Sequence, residues 1–216
     1  MDNLIEIQKE IQLKIVKISS KDKLPKIIAV TKTHPMTVIL PLIKYGHNNF
    51  GENKIQEAIE KWSIVREEYK SINLHFIGRL QSNKVKLAVS FFDYIHSLDS
   101  KKLAIKISEE QVKQNKKVKI FIQINIGNEE QKSGIKLKEI FDFCTFCKNL
   151  DLNIIGTMCV PPKNEISKNY FLEMNKINQD LKLPDLSMGM SEDYLEAAEY
   201  KATFLRIGSK IFGQRN

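Results

Sequence analysis

Apolar residues in the first segment recur at three- and four-residue spacing. Leu4, Ile7, Ile11, Ile15 and Ile18 form one stripe, the mark of an amphipathic helix over residues 1–19. The polar stretch SSKDKLP breaks it. Short β-rich runs then alternate with helical patterns. The runs are KIIAVT (26–31), NNFG (48–51), LHFIG (74–78), YIHSL (94–98), VKIFIQINI (118–126), NIIGTMC (153–159), PDLSM (184–188) and FLRIG (204–208). Helical candidates such as MTVILPLIKY, NKIQEAIEKWSIVREEY, SNKVKLAVSF and KLAIKISEEQVKQN lie between them. Strands that alternate with helices pair in parallel. Eight such units in 216 residues point to an α/β fold of the (β/α)8 TIM-barrel class, although periodicity alone leaves a doubly wound sheet open. No Pro/Gly-rich linker, low-complexity tract or repeat interrupts the pattern. A single domain over residues 1–216 is expected, with the N-terminal helix packed on the barrel.

Composition narrows the function classes. The longest apolar runs, such as VILPLI, are far too short to span a bilayer. Asp2, Glu6 and Glu10 leave no signal-peptide core at the N-terminus, so a cytoplasmic protein without a membrane partner is expected. Cys144 and Cys147 form a C-x-x-C, but Leu137, Ile140, Phe141, Cys144, Cys147 and Leu150 fall at helical spacing, which predicts core thiols rather than a zinc or redox site. The net charge of +8 raises nucleic acid as a partner. The excess is diffuse Lys with only four Arg, without the clustered Arg and aromatics that read bases, so no nucleic-acid partner is expected.

The unusual residues gather just past the strands, where barrel enzymes place their chemistry. Lys32 follows the first strand; Gly51, Glu52 and Asn53 follow the second. Arg79, Gln81, Asn83 and Lys84 follow the third, and Met158 ends the sixth. Lys32 reads either as a surface lysine or as an amine at the mouth. At the mouth, partial desolvation would lower its pKa and free it to form a Schiff base with an aldehyde. SMGMS after the seventh strand and RIGS after the eighth stand where barrels commonly bind phosphate. Ser187, Gly189, Gly208 and Ser209 supply hydroxyls and closely approachable N–H groups. Ser191 fits that cradle too, or it caps the helix SEDYLEAAE. His75 and His96 alternate with apolar neighbours, which predicts structural places inside the barrel.

A strand-end lysine and a phosphate cradle together suggest pyridoxal 5′-phosphate. The motifs IIAVTKTHP, FGENKIQEA, HFIGRLQSNKVK, IHSLDS, QINIGNEEQKSGI, LSMGMSEDYLEAA and FLRIGSKIFGQR, in this order, closely resemble the pyridoxal phosphate homeostasis proteins of the YggS/PROSC type, single-domain relatives of the alanine racemase barrel. The resemblance implies that Lys32 carries the cofactor as an internal aldimine. It places Ser187, Gly208 and Ser209 on the phosphate, with Ser191 and Gly189 nearby. Asn53 and Met158 would line the ring, and Arg206 would face the pyridine nitrogen. Thr31 stands where Ser is usual, Arg79 where Pro or His is commoner, and Lys201 and Ala202 where a Gly-Ser pair is frequent.

Related racemases draw a catalytic tyrosine from a second domain, which this sequence is not expected to have. The expectation is therefore a binding protein without turnover, a monomer that passes cofactor to apo-forms of pyridoxal phosphate enzymes. A racemase using the same lysine, and a barrel enzyme acting on sugar phosphates without cofactor, are the alternatives. Whether Lys84 or Lys210 offers a second cofactor site is left open by the sequence.

Overall fold

The computed structural model describes residues 1–18, 23–163 and 165–214. Helix α1 (Asp2–Ile18) precedes the first strand. The expected helix end at Ser19, the start of the polar break and the side chain of Ile18 lie outside the described part. Eight strands then form a closed parallel barrel in sequence order. They are β1 (Lys26–Val30), β2 (Asn49–Glu52), β3 (Asn73–Phe76), β4 (Tyr94–Leu98), β5 (Lys119–Ile124), β6 (Ile154–Cys159), β7 (Asp185–Ser187) and β8 (Phe204–Ile207). The helices are α2 (Met36–Lys44), α3 (Ile55–Glu68), α4 (Val85–Phe91), α5 (Lys101–Gln114), α6 (Ile140–Asn149), α7 (Ser167–Asp180), α8 (Tyr194–Glu199) and α9 (Ser209–Phe212). The barrel expected from the alternation is the one observed. No helix among the described residues is long and apolar enough to cross a membrane.

Helix α1 buries Leu4, Ile7, Ile11 and Ile15, each such side chain contributing ~1.5–3 kcal/mol of gross transfer energy. Polar contacts fix its position. Asn3 donates to the carbonyl of Ile211 at 3.0 Å, Lys14 pairs with Glu199 at 2.8 Å, and Glu10 meets Tyr194 and Lys210. Lys210 is thus engaged in holding α1.

In α6 the thiols of Cys144 and Cys147 are buried, and desolvation pushes Cys147 up to about 12. The core face differs from expectation at one position: Phe143 is buried while Phe141 is 51% exposed. Residues two apart on a helix point about 200° away from each other, so these two rings cannot share one face.

Closure of β8 against β1 aligns Ile28 with Arg206. Side chains alternate across a strand, so Ile28 and Val30 face the barrel interior, as do Phe204 and Arg206. An apolar cluster of Ile28, Tyr94, Phe121, Met158 and Phe204 packs within the interior. Gly156 lets β6 approach β7 closely, since a Cβ there would lie 1.9 Å from the carbonyl oxygen of Asp185.

Candidate functional site

The same alternation carries Lys32, two residues beyond Val30, to the C-terminal mouth of the barrel. There it lines a cavity of about 570 Å³ with Val30, His34, Ser191, Arg206, Gly208 and Ser209, a size typical of small-molecule sites. Lys32, Ser191, Arg206, Gly208 and Ser209, expected to work together, therefore meet in one place. Asn53, Met158, Ser187 and Gly189 do not line the cavity.

Each of these four has another position. Met158 is 3% exposed and sits in the apolar cluster. Gly189 has φ +88°, and a Cβ would meet that of Ala197 at 2.4 Å, so it serves the turn packed on α8. Asn53 keeps its Oδ1 buried without a hydrogen-bond partner. Ser187 departs furthest from expectation. Its fully buried hydroxyl accepts from Arg206 Nη1 at 2.7 Å and lies 3.0 Å from His96 Nδ1. The chain reaches the mouth only at Met190 and Ser191, three and four residues later.

Ser191 does not cap α8. Asp193 holds the N-cap position and its Oδ1 accepts from the Met190 N–H. Ser191 Oγ instead accepts from the backbone N–H groups of Gly208 and Lys210, both at 3.3 Å. It thus ties the loop after β7 to the loop after β8, with donors that long bonds leave accessible to a stronger acceptor.

Arg206 is 5% exposed. Its acceptors, Ser187 Oγ and the Cys159 carbonyl at 2.8 Å, are both uncharged. Burial draws its pKa below the ordinary value, partly offset by Cys159 and Asp193, yet a guanidinium stays protonated at any working pH. A positive charge without a hydrogen-bonded counter-ion therefore sits at the base of the mouth.

Beneath it runs a polar chain through the barrel that sequence reasoning did not assemble. From Ser187 it passes to His96, then from His96 Nε2 to His75 Nδ1 at 3.0 Å, then from His75 Nε2 to Asn49 Oδ1 at 3.1 Å. Both ends fix its direction. Arg206 can only donate, and Asn49 Nδ2 is committed to Asn48 Oδ1 at 2.7 Å, which leaves Asn49 Oδ1 as acceptor. Each imidazole then carries its proton on Nε2, and the Ser187 hydroxyl donates to His96. Both rings are neutral. Burial lowers each pKa well below 6.5, reinforced at His75 by Lys26 and Lys119 and at His96 by His75 and Arg206.

The family model "Alanine racemase, N-terminal domain" matches residues 9–216. A protein of Pasteurella multocida called "Pyridoxal phosphate homeostasis protein" is 37% identical over 99% of this chain and 97% of its own. One of that name from Haemophilus influenzae is 36% identical over 99% and 95%. The structure of PipY from Synechococcus elongatus with pyridoxal phosphate bound superposes with a TM-score of 0.82 at 29% identity, covering 94% of this chain and all of that one. Alanine racemase of Clostridium difficile shares the fold, with a TM-score of 0.70 at 16% identity over 100% of this chain and 57% of its own. A barrel with a strand-end lysine, a buried arginine on β8 and paired serine loops thus has its place: the chain belongs to the alanine racemase N-terminal domain family and, within it, to the pyridoxal phosphate homeostasis proteins.

Proposed function

We propose that this chain binds pyridoxal 5′-phosphate through Lys32, holds it as part of vitamin B6 balance, and yields it to apo-forms of pyridoxal phosphate enzymes without turnover of its own. When bound, the cofactor supplies an aldehyde for the lysine amine and a ring that withdraws electrons to the extent that its nitrogen is protonated. The residues present fit such a group: a strand-end amine, a guanidinium whose hydrogen-bond acceptors are uncharged, and hydroxyl and N–H donors surround one cavity. In this reading Ser191, Ser209 and the N–H of Gly208 receive the phosphate, and Ser187 and His96 keep Arg206 in place.

The observation that carries the reading is Arg206. A fixed positive charge beside the ring nitrogen opposes its protonation and leaves a weak electron sink. That suits retention better than turnover, and it agrees with relatives named for homeostasis. The cofactor-loaded protein is expected to racemise and transaminate amino acids no faster than free cofactor. Rates well above that background would make it an amino-acid racemase or a related enzyme.

A further inference from the structure

The turn that carries Lys32 is gripped from outside the barrel by a partly buried ion cluster. Residues 31–34 close a turn in which the His34 N–H donates to the Thr31 carbonyl at 3.1 Å. Its third position, Thr33, has φ +66°. That left-handed conformation is one glycine adopts freely and a β-branched residue resists. Something must hold it.

Lys32 lines the mouth, Thr31 is buried on the side of α3, and the Thr33 side chain is exposed. The Thr33 N–H donates to Glu57 Oε1 at 2.7 Å. Lys61 Nζ donates to the Thr31 carbonyl at 2.8 Å, to Glu52 Oε1 at 3.0 Å and to Glu57 Oε1 at 2.9 Å. All three ammonium protons are thereby used. The Thr31 hydroxyl and the Trp62 indole N–H also donate to Glu52 Oε1, at 2.7 and 3.0 Å. Glu52 is fully buried and the Lys61 side chain is 10% exposed. Burial raises the Glu57 pKa, but the Lys61 and Thr33 hydrogen bonds outweigh it and hold the carboxyl below its ordinary value. Glu57 and Lys61 lie one turn apart on α3, so a single helix fastens the residue on each side of Lys32.

We propose that Lys61 and Glu57 are positioning residues for Lys32: they keep residues 31–34 in the left-handed turn that directs the Lys32 amine into the mouth. The proposal rests on Lys32 being the cofactor lysine.

The test uses the full-length apo-protein, Glu57→Ala, Lys61→Met, and Glu57→Ala combined with Thr33→Gly. Pyridoxal phosphate capture is followed by absorbance, and exchange of the Thr33 amide by NMR. The exposed Thr33 should show a protected amide that Glu57→Ala unprotects. Capture should slow about tenfold in Glu57→Ala and in Lys61→Met, the population shift expected when a left-handed β-branched residue loses its support. Adding Thr33→Gly to Glu57→Ala should bring capture back to within about twofold, because glycine needs no such support. A loss of helix stability alone would not be restored in this way. Wild-type capture rates in a folded Glu57→Ala protein, or no recovery with Thr33→Gly, would overturn the proposal. Borohydride trapping separates the two failures. A label off Lys32 removes the cofactor reading itself, whereas a label on Lys32 with an unslowed Glu57→Ala removes only the positioning role.

Discussion

Lys32→Ala is expected to abolish covalent capture of pyridoxal phosphate and most of the thermal stabilisation that the cofactor confers. A ligand at a hundredfold excess over its dissociation constant stabilises the folded state by ~2.7 kcal/mol. For a chain of this size that corresponds to a Tm rise of roughly 5–10 °C. The Lys32 side chain is only partly buried at the rim of the mouth, so its truncation should leave the apo-protein close to wild-type stability. The variant should therefore match wild type without cofactor and show little shift with it. Non-covalent contacts from Arg206, Ser191 and Ser209 would leave weak binding but no visible band from a lysine-linked cofactor. A variant that kept both the band and the full shift would place the link elsewhere.

The second large effect concerns acid. His75 and His96 are both fully buried and hydrogen-bonded to one another, and both are held neutral well below pH 6.5. The unfolded chain takes up a proton on each near its ordinary pKa of ~6.5. Below that pH the unfolded state binds more protons than the folded one, so stability is fully present above it and falls as pH drops. Each ring adds a slope of up to ~1.4 kcal/mol per pH unit, and the pair together should remove about 2.7 kcal/mol between about pH 7.5 and about pH 5.5. Urea unfolding at several pH values reads this directly. A flat profile over that range would mean that both rings are already protonated in the folded protein. Nitrogen-15 NMR provides the matching check: each imidazole should show a protonated Nε2 and a bare Nδ1.

The barrel was legible because most strands are short apolar runs bounded by polar residues; β2 (NFGE) and β7 (DLS), with one large apolar side chain each, follow from the alternation of the units around them. Strand-end position likewise singled out Lys32, Gly208 and Ser209, whereas the role of Arg206 came with the family resemblance. Ser187 and Ser191 were harder to tell apart. They share one motif, four residues apart, and which hydroxyl reaches the mouth depends on where β7 leaves the barrel wall. That is a property of the sheet's register, not of the local sequence. His75 and His96 were placed inside the barrel by alternation, but their contact joins neighbouring strands, and the Asn49-to-Arg206 chain emerges only on closure. Lys61 gave no signal. In EAIEKWSI it reads as an ordinary solvated helix residue, and only the carboxylates of Glu52 and Glu57 make a buried ammonium tolerable there. Lys201, at the position where the family resemblance implies a glycine, takes φ +69°, a left-handed conformation that glycine adopts freely.

Borohydride reduction of the cofactor-loaded protein, followed by peptide mapping, addresses the site most directly. The account predicts a single pyridoxyl group, on the peptide that contains Lys32. A label carried instead by Lys84, by Lys210 or by Lys163, which also lines the cavity, would contradict it.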